Sequence, residues 1–322
     1  MIEAAYGDLV RIVEAAAGPT GRLFPLYLLT AAALAFFVYA TTARARSGRG
    51  FLRWLFPRGI WLHPSHLVDL KLFVVNRVGS AFGLFNNVAV TSLVSVLVML
   101  AASGRPEDGD AASTWLVALC VLLANDFGVY WVHRLHHENR FFWPFHAVHH
   151  SAEVMTPITV YRKHPVYDLI SSAVRGVFYG LLQGLLLVAF FGPVEASTVI
   201  GVNAFYFAFN VFGANLRHSH VWLSFGPVIE HLFISPAQHQ IHHSRAVEHH
   251  DKNYGEVLAI WDWMFGTLYV PKRRERLSFG LADGEGRPIE QPHGGLRAAL
   301  VGPVRDAAAV VFRRGDGDAA RR

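Results

Sequence analysis

The chain has 322 residues, of which 52% are apolar and only 16% charged, a balance that excludes a disordered, solvent-swollen chain and points to a membrane protein. The formal charge of +5 is modest, and the basic residues are not interleaved with aromatics as a nucleic-acid groove requires. A single cysteine, Cys120 inside an apolar stretch, excludes an intrachain disulfide and any cysteine-rich zinc or iron–sulfur site.

In chain order, the N-terminus carries acidic residues and no basic region leading into an apolar stretch and a small-residue cleavage site, so no removable signal peptide is expected. Five stretches then approach the roughly 20 residues that a bilayer crossing needs. They run from about Leu23 to Thr42, Ala81 to Ala102, Ser113 to Val132, Val166 to Phe191 and Val194 to Phe212, with Gly192-Pro193 as a tight turn between the last two. The segment between the first two contains Arg44, Arg46, Arg49, Arg53, Arg58, Lys71 and Arg77 against Asp69 alone, which places it in the cytoplasm by the positive-inside bias. Within it, residues 51–78 mix aromatic, basic and apolar side chains and read as an interfacial stretch. The next connection holds Glu107, Asp108 and Asp110 and falls outside.

Threading onward brings three histidine clusters to the cytoplasmic side, although none of them was used to set the orientation. They are His133-Arg-Leu-His136-His137, His146-Ala-Val-His149-His150 and His239-Gln-Ile-His242-His243. Each pairs imidazoles four apart with a third at spacing three, offsets that share one helix face within a turn. Neutral imidazole is the commonest protein metal ligand, and three such clusters exceed the three or four ligands of a single zinc, so two ions are expected. A nitrogen-only set favours zinc, iron, copper or nickel, and spacing does not separate them. His133 and His137 form the first pair, with His136 about 60° away around the helix. Isolated histidines are ordinarily hydrogen-bonded core or surface residues, yet His164, His218 and His220 fall on the clusters' side, and the first two join the candidates. His231, His249 and His250 are poorer ligands, and His63, His66 and His293 are read as structural. Asp126, two turns before His133, is placed to accept a ring N–H from a ligating histidine and fix its tautomer. There is no Gly-x-Ser-x-Gly, no phosphate-binding loop and no dinucleotide fingerprint.

The reading is an all-α integral membrane protein of about four to five transmembrane helices, carrying a cytoplasmic helical, histidine-rich metal-binding cap. Its expected parts are membrane helices and a basic interfacial segment (1–112), a catalytic domain (113–271) and a flexible tail rich in Gly, Arg and Asp (272–322).

Three stretches, Asp126-Phe-Gly-Val-Tyr-Trp-Val-His-Arg-Leu-His-His, Trp143-Pro-Phe-His-Ala-Val-His-His-Ser and Pro236-Ala-Gln-His-Gln-Ile-His-His-Ser, resemble the histidine boxes of the fatty acid hydroxylase/sterol desaturase superfamily. Asp251-Lys-Asn-Tyr-Gly and Ile260-Trp-Asp-Trp-Met-Phe-Gly-Thr extend the match, with Trp263 standing where the family usually has arginine. The resemblance implies a di-iron centre working with O2 and external electrons to hydroxylate or desaturate lipid C–H bonds. It implies His133, His137, His146, His149, His150, His239, His242 and His243 as metal ligands, His218 as a histidine upstream of the last box, and His164 as part of a His-Pro step seen in sterol-acting members. Zinc remains an alternative to iron. Expected partners are a lipid from the bilayer, O2 and an electron donor such as a ferredoxin, cytochrome or flavin reductase, in the bacterial inner membrane or the endoplasmic reticulum. Related families put the same boxes to ether-lipid monooxygenation or carotenoid hydroxylation. A metal-binding membrane protein without catalysis, such as a transporter or sensor, is the reading from another class.

Overall fold

The computed structural model describes residues 21–43, 50–81, 88–102, 114–191 and 204–312, with 14, 17 and 18 besides. Among the described residues the fold is helical, with no strand and two isolated β-bridges, Phe233 to Leu258 and Ala282 to Pro288. The principal helices are α1 (Pro25–Val38, continued as a π-helical turn over Tyr39–Ala43), α2 (Pro64–Ala81), α3 (Val88–Ala102), α4 (Thr114–Glu138) and α5 (Trp143–His150). They are followed by α6 (Pro165–Phe191), α7 (Ala204–Val211), α8 (Pro236–His242), α9 (Ile260–Met264) and α10 (Leu296–Phe312). Proline stands at the start of α1, α5 and α8, where its fixed φ suits the first turn and its missing N–H costs nothing.

Three stretches are long and apolar enough to cross a membrane by length and composition: Pro25–Thr42, Trp115–Glu138 and Pro165–Phe190. Of the five expected crossings, the second is a helix over Val88–Ala102, with 82–87 outside the described residues. The fifth is seen only as α7, with 192–203 outside them. The third does not stop at Val132: α4 runs on through the first histidine cluster to Glu138, so the apolar helix itself carries those histidines to the site.

The bundle of α3, α4 and α6 closes on glycines. A Cβ on Gly180 would come within 2.8 Å of Thr91 O, and one on Gly184 within 3.0 Å of Ser95 O, while Ser95 Oγ donates to Gly180 O at 3.0 Å. This four-residue glycine spacing lets two backbones touch. On α4, Gly128 receives the ring of Tyr179, which any Cβ would overlap. Met99, Val117, Val121 and Leu187 fill the core beyond.

The first helix packs elsewhere. Its buried Ala31, Ala35 and Val38 meet Leu216 and Val221, in the segment that carries His218. At its start, Arg22 O accepts from Asn215 Nδ2 at 2.8 Å, and at its end the Tyr39 ring lies tilted 5.4 Å from that of Trp54, whose carbonyl accepts from His220 Nε2 at 3.0 Å. The helix thus packs along the segment that carries His218, and it remains long and apolar enough for the crossing expected over 23–42. Local hydropathy reports only that the helix is apolar, not what covers it.

The expectation of a flexible tail from 272 fails over its described part. Ala299, Pro303 and Ala307 of α10 are buried, and Ala299 joins Val68, Leu72 and Val148 in a core linking α2, α5 and α10. Ala299, Pro303 and Ala307, spaced four apart, let the helix approach closely while Leu296 and Leu300 pack against the same core, a pattern that the Gly, Arg and Asp around it hide from composition.

Candidate metal centre

Arg162 braces the centre from behind. It is fully buried, and its Nη1 meets Asp69 Oδ1 at 2.8 Å while Nε donates to Val148 O at 2.8 Å and Nη2 to Ser151 Oγ at 2.9 Å. Thr159 Oγ1 donates to the second oxygen of Asp69 at 2.7 Å, so a buried ion pair with its lone pairs satisfied fixes α5 against α2. Neither residue stood out in the sequence, although Asp69 is the lone acid in a basic segment.

α8 begins with Ser235, whose hydroxyl accepts from Gln238 N at 3.1 Å while the Gln238 side chain accepts from Ser235 N at 2.9 Å, a reciprocal cap that sets the helix entrance. From this frame the imidazoles converge in two groups. His133, His137, His146, His150 and His242 form one, and His149, His218, His239 and His243 the other, with the candidate ligand atoms of each group within 4.8 Å of one another. On α5 and α8 the residues four apart stay in one group and the residue at spacing three crosses to the other. Thus His146 and His150 are joined by His242, and His239 and His243 by His149. The groups abut where the His150 and His243 rings stack, 4.4 Å between centroids.

This donor set fits metal ions. His146 Nε2 lies 3.1 Å from His133 Nε2 and 3.2 Å from His150 Nε2. In the second group His218 Nε2 lies 3.2 Å from His149 Nε2 and 3.0 Å from His239 Nε2, and His243 Nε2 lies 3.2 Å from His239 Nε2. A ring nitrogen carries one hydrogen or one lone pair and cannot serve two such neighbours. Neighbouring nitrogens around a cation with bonds of about 2.0–2.1 Å stand about 3.0–3.4 Å apart, the spacing seen here. His242 Nε2 is buried without a hydrogen-bond partner, while its Nδ1 donates to Lys252 O at 2.8 Å. His133 Nδ1 likewise donates to Tyr254 O at 2.7 Å, so both rings are held with Nε2 free to face inward. Burial first, and then neighbouring imidazoles, push His146, His149 and His243 well below the ordinary imidazole range. Rings kept neutral are rings ready to coordinate.

Two expectations are corrected. His164 stands outside both groups: its Nδ1 accepts from Val166 N at 3.1 Å and its Nε2 donates to Leu300 O at 2.9 Å, so it ties α6 to α10. Asp126 touches no histidine. Seven residues before His133 is a rise of about 10 Å, beyond a carboxylate's reach. It accepts instead from Val257 N at 3.0 Å, Leu258 N at 2.9 Å and Trp261 Nε1 at 3.0 Å, holding the loop that offers Tyr254 O to His133. Asp262 completes that loop, accepting from Tyr254 N and Gly255 N, each at 2.8 Å, and was not anticipated. His136 lies outside both groups, its Nδ1 donating to Val132 O at 2.7 Å, and His220 is spent on Trp54.

An all-helical chain with apolar helices of membrane-crossing length and two abutting imidazole groups at their ends defines a class of histidine-rich membrane metalloprotein. Within it, a family model for fatty acid hydroxylases matches residues 118–267, and the chain belongs to the fatty acid hydroxylase/sterol desaturase superfamily. Alkylglycerol monooxygenase of Homo sapiens is 31% identical over 215 residues, covering 67% of this chain and 42% of its own length. Ornithine lipid hydroxylase OlsE of Rhizobium tropici is 32% identical over 170 residues, 52% of this chain and 47% of its own. Delta(7)-sterol 5(6)-desaturase ERG3B of Gibberella zeae is 29% identical over 191 residues, 55% of this chain and 53% of its own. The chain thus spans about half or less of the length of these relatives, which are oxidoreductases by name. No solved structure matches it.

Proposed function

We propose that the protein is an O2-dependent, di-iron oxidoreductase of a bacterial inner membrane or the endoplasmic reticulum, acting on a C–H bond of a lipid by hydroxylation or desaturation. The observation that carries this reading is the pair of abutting, buried, all-imidazole groups inside a fatty acid hydroxylase domain. His133, His137, His146, His150 and His242 would hold one ion and His149, His218, His239 and His243 the other. When bound, the ions supply the redox chemistry that activates O2. In hydroxylation one oxygen atom enters the C–H bond and the other leaves as water, and in desaturation two substrate hydrogens are removed and both oxygen atoms leave as water, each with two electrons and two protons drawn from outside. The electrons come from a separate ferredoxin, cytochrome or flavin reductase.

The chain's own residues prepare the site. The carbonyls of Tyr254 and Lys252 fix two ring tautomers, and burial keeps water from the reacting carbon. A cavity of about 60 Å³ lined by His137, His150, His242 and Asp251 opens beside the first group. Tyr254 Oη donates to Asp251 Oδ1 at 2.8 Å, which holds that carboxylate at the cavity edge. A second reading, ether-lipid monooxygenation, is favoured by the similarity to alkylglycerol monooxygenase.

In this reading the histidine groups face the cytoplasm, and α1, α3, α4 and α6 cross the membrane, while the fifth crossing expected over 194–212 lies outside the described residues except for α7.

The test is the metal content of the detergent-solubilised protein beside a His149→Ala/His242→Ala variant, followed by lipid analysis of an expressing strain with and without added alkylglycerols. About two irons per chain, lost in the variant, together with an oxidised lipid, are expected. Loss of the ether lipid alone would select the second reading. Absence of metal from both proteins would overturn the assignment.

A further inference from the structure

Two acidic side chains near the histidine centre are turned inward while their apolar neighbours face out. In the 3₁₀ turn Ile229–His231, Glu230 is fully buried, its Oε1 accepting from Ser235 Oγ at 2.6 Å and from Phe225 N at 3.1 Å. Val228, Ile229, Leu232 and Phe233 around it are exposed, Val228 by 78%. In α9, Asp262 is fully buried and accepts from Thr267 Oγ1 at 2.6 Å, while Trp263 and Met264 beside it are exposed by 61% and 66%. A surface that faces water arranges these residue types the other way round. Across 221–235 and 257–270 the sequence holds no Asp, Glu, Lys or Arg besides these two buried acids, so the outward face of both segments carries no fixed charge.

The two elements make one surface. Phe233 and Leu258 form an antiparallel bridge, Ala259 N donates to Leu232 O at 2.9 Å and Ile234 N to Val257 O at 3.0 Å, and the His231 and Trp263 rings meet at 5.5 Å. This surface adjoins an apolar stripe on α4. Leu119 and Trp131 are exposed, with Leu123 and Phe127 half-buried between them, and all four lie within about 120° around the helix. α9 leans on the end of that stripe: the Trp261 ring meets Phe127 at 5.0 Å, and the Phe265 ring meets Trp131 at 5.0 Å. Since α4 is long and apolar enough to cross a membrane, the stripe is the side of it that lipid would touch, and the patch joins it at the histidine end.

We propose that the surface of Val228, Ile229, Leu232, Phe233, Trp263 and Met264 is seated in the membrane leaflet on the histidine side, a contact made by the histidine-bearing part of the chain and separate from the crossing helices. Lipid is the occupant for three reasons. The patch adjoins the outward stripe of α4, its acids point away from it, and tryptophan, which suits the boundary between head groups and acyl chains, stands on both sides of the join as Trp131 and Trp263. The inference rests on α4 crossing the membrane and not on the oxidase chemistry. It also sets the depth of the centre. His133 and His137 rise about 3 and 9 Å along α4 beyond Trp131, so the first imidazole group stands within two helical turns of the leaflet surface. Asp262 of α9 accepts from Tyr254 N, and Tyr254 O accepts from His133 Nδ1, so the loop that orients this ligand is anchored where the patch meets lipid.

Nitroxide labels test this without turnover. Ile229→Cys, Trp263→Cys and Met264→Cys are made singly in a Cys120→Ala background, labelled, and reconstituted in phosphatidylcholine vesicles. Leu119→Cys serves as the lipid-side reference, and Glu285→Cys, at a side chain 71% exposed, as the water-side one. Power saturation then reads collisions with O2, which concentrates in lipid, and with a water-soluble nickel chelate, which stays outside. We expect the three patch labels to follow Leu119, with frequent O2 collisions, loss of nickel collisions and a depth of about 5–10 Å below the head groups. Glu285 should show the reverse. Melting temperature and metal content confirm that each variant folds, and the remaining patch sites decide should one of them fail. Nickel collisions at the patch as frequent as at Glu285 would overturn the proposal. Labels shielded from both reagents, with spin–spin broadening that vanishes on dilution with unlabelled chain, would place a second copy on the patch and overturn it as well. Nickel access at Leu119 would remove the crossing of α4 and the proposal with it. Absence of metal or of oxidation in the wild-type protein would instead strike the oxidase reading and leave the label depths as they are.

Discussion

Asp126 shows how a single side chain can matter to a metal site that it never touches. Its two oxygens receive three donors from a loop about 131 residues further along the chain. Asn at this position keeps one acceptor and turns an N–H towards a backbone N–H. Asp126→Asn is expected to cost about 1–3 kcal/mol and to release Tyr254 O from His133. A lower melting temperature together with weaker metal retention in detergent would bear this out, and an unchanged melt would refute it. The histidines make a second prediction at the same scale. Burial foremost, with neighbouring charges, holds His146, His149, His150, His218, His239, His242 and His243 well below the ordinary imidazole range. Unfolded, these rings take up protons below about pH 6.5, whereas folded they do not, so stability is full above that pH and falls as pH drops through it. Buried carboxyls such as Asp262, which burial pushes up to about 6, pull the opposite way, since their contribution is lost as pH rises, but the seven imidazoles outnumber them. Thermal melts of chelator-treated protein between about pH 8 and 5 should therefore decline toward acid. A melt that rises toward acid would refute this sign.

At the scale of elements, the histidine spacing was readable because a helix repeats locally. Offsets of three and four place imidazoles on one face whatever the rest of the chain does. Their division between two groups was not readable, since it depends on how α5 and α8 face each other. The same limit hid the role of Asp126 and the Arg162–Asp69 pair, both of them contacts between residues far apart in sequence. Hydropathy along α4 falls at the histidines while its hydrogen bonding runs on through Glu138, so the helix outlasts the apolar stretch. Packing of α3 on α6 yields a direct test. Gly180→Ala would place a methyl 2.8 Å from the immobile Thr91 carbonyl and should destabilise the protein by about 1–3 kcal/mol. Gly59→Ala, with nothing within 4 Å, should be close to neutral in the same melting assay.

For the whole molecule, composition sufficed to indicate a helical, membrane-type chain, and the boxes sufficed to indicate its family. What α1 packs against was beyond it, because a helix that rests against protein and one that crosses lipid have the same hydropathy. With α1 as a crossing helix, cysteines introduced singly at Leu23 and Gly50 in a Cys120→Ala background should be labelled from opposite sides of sealed vesicles. Labelling of both from one side would place α1 along the membrane surface instead.

The stacked rings of His150 and His243 belong to different groups but to one wall. Each histidine helix also lends a ring to its neighbour's group, α5 through His149 and α8 through His242. Filling either group orders the helices on which the other depends. Occupancy should then behave as a single digit: a half-filled molecule is the least favoured state, and a scarce supply of metal divides the population into the full and the empty.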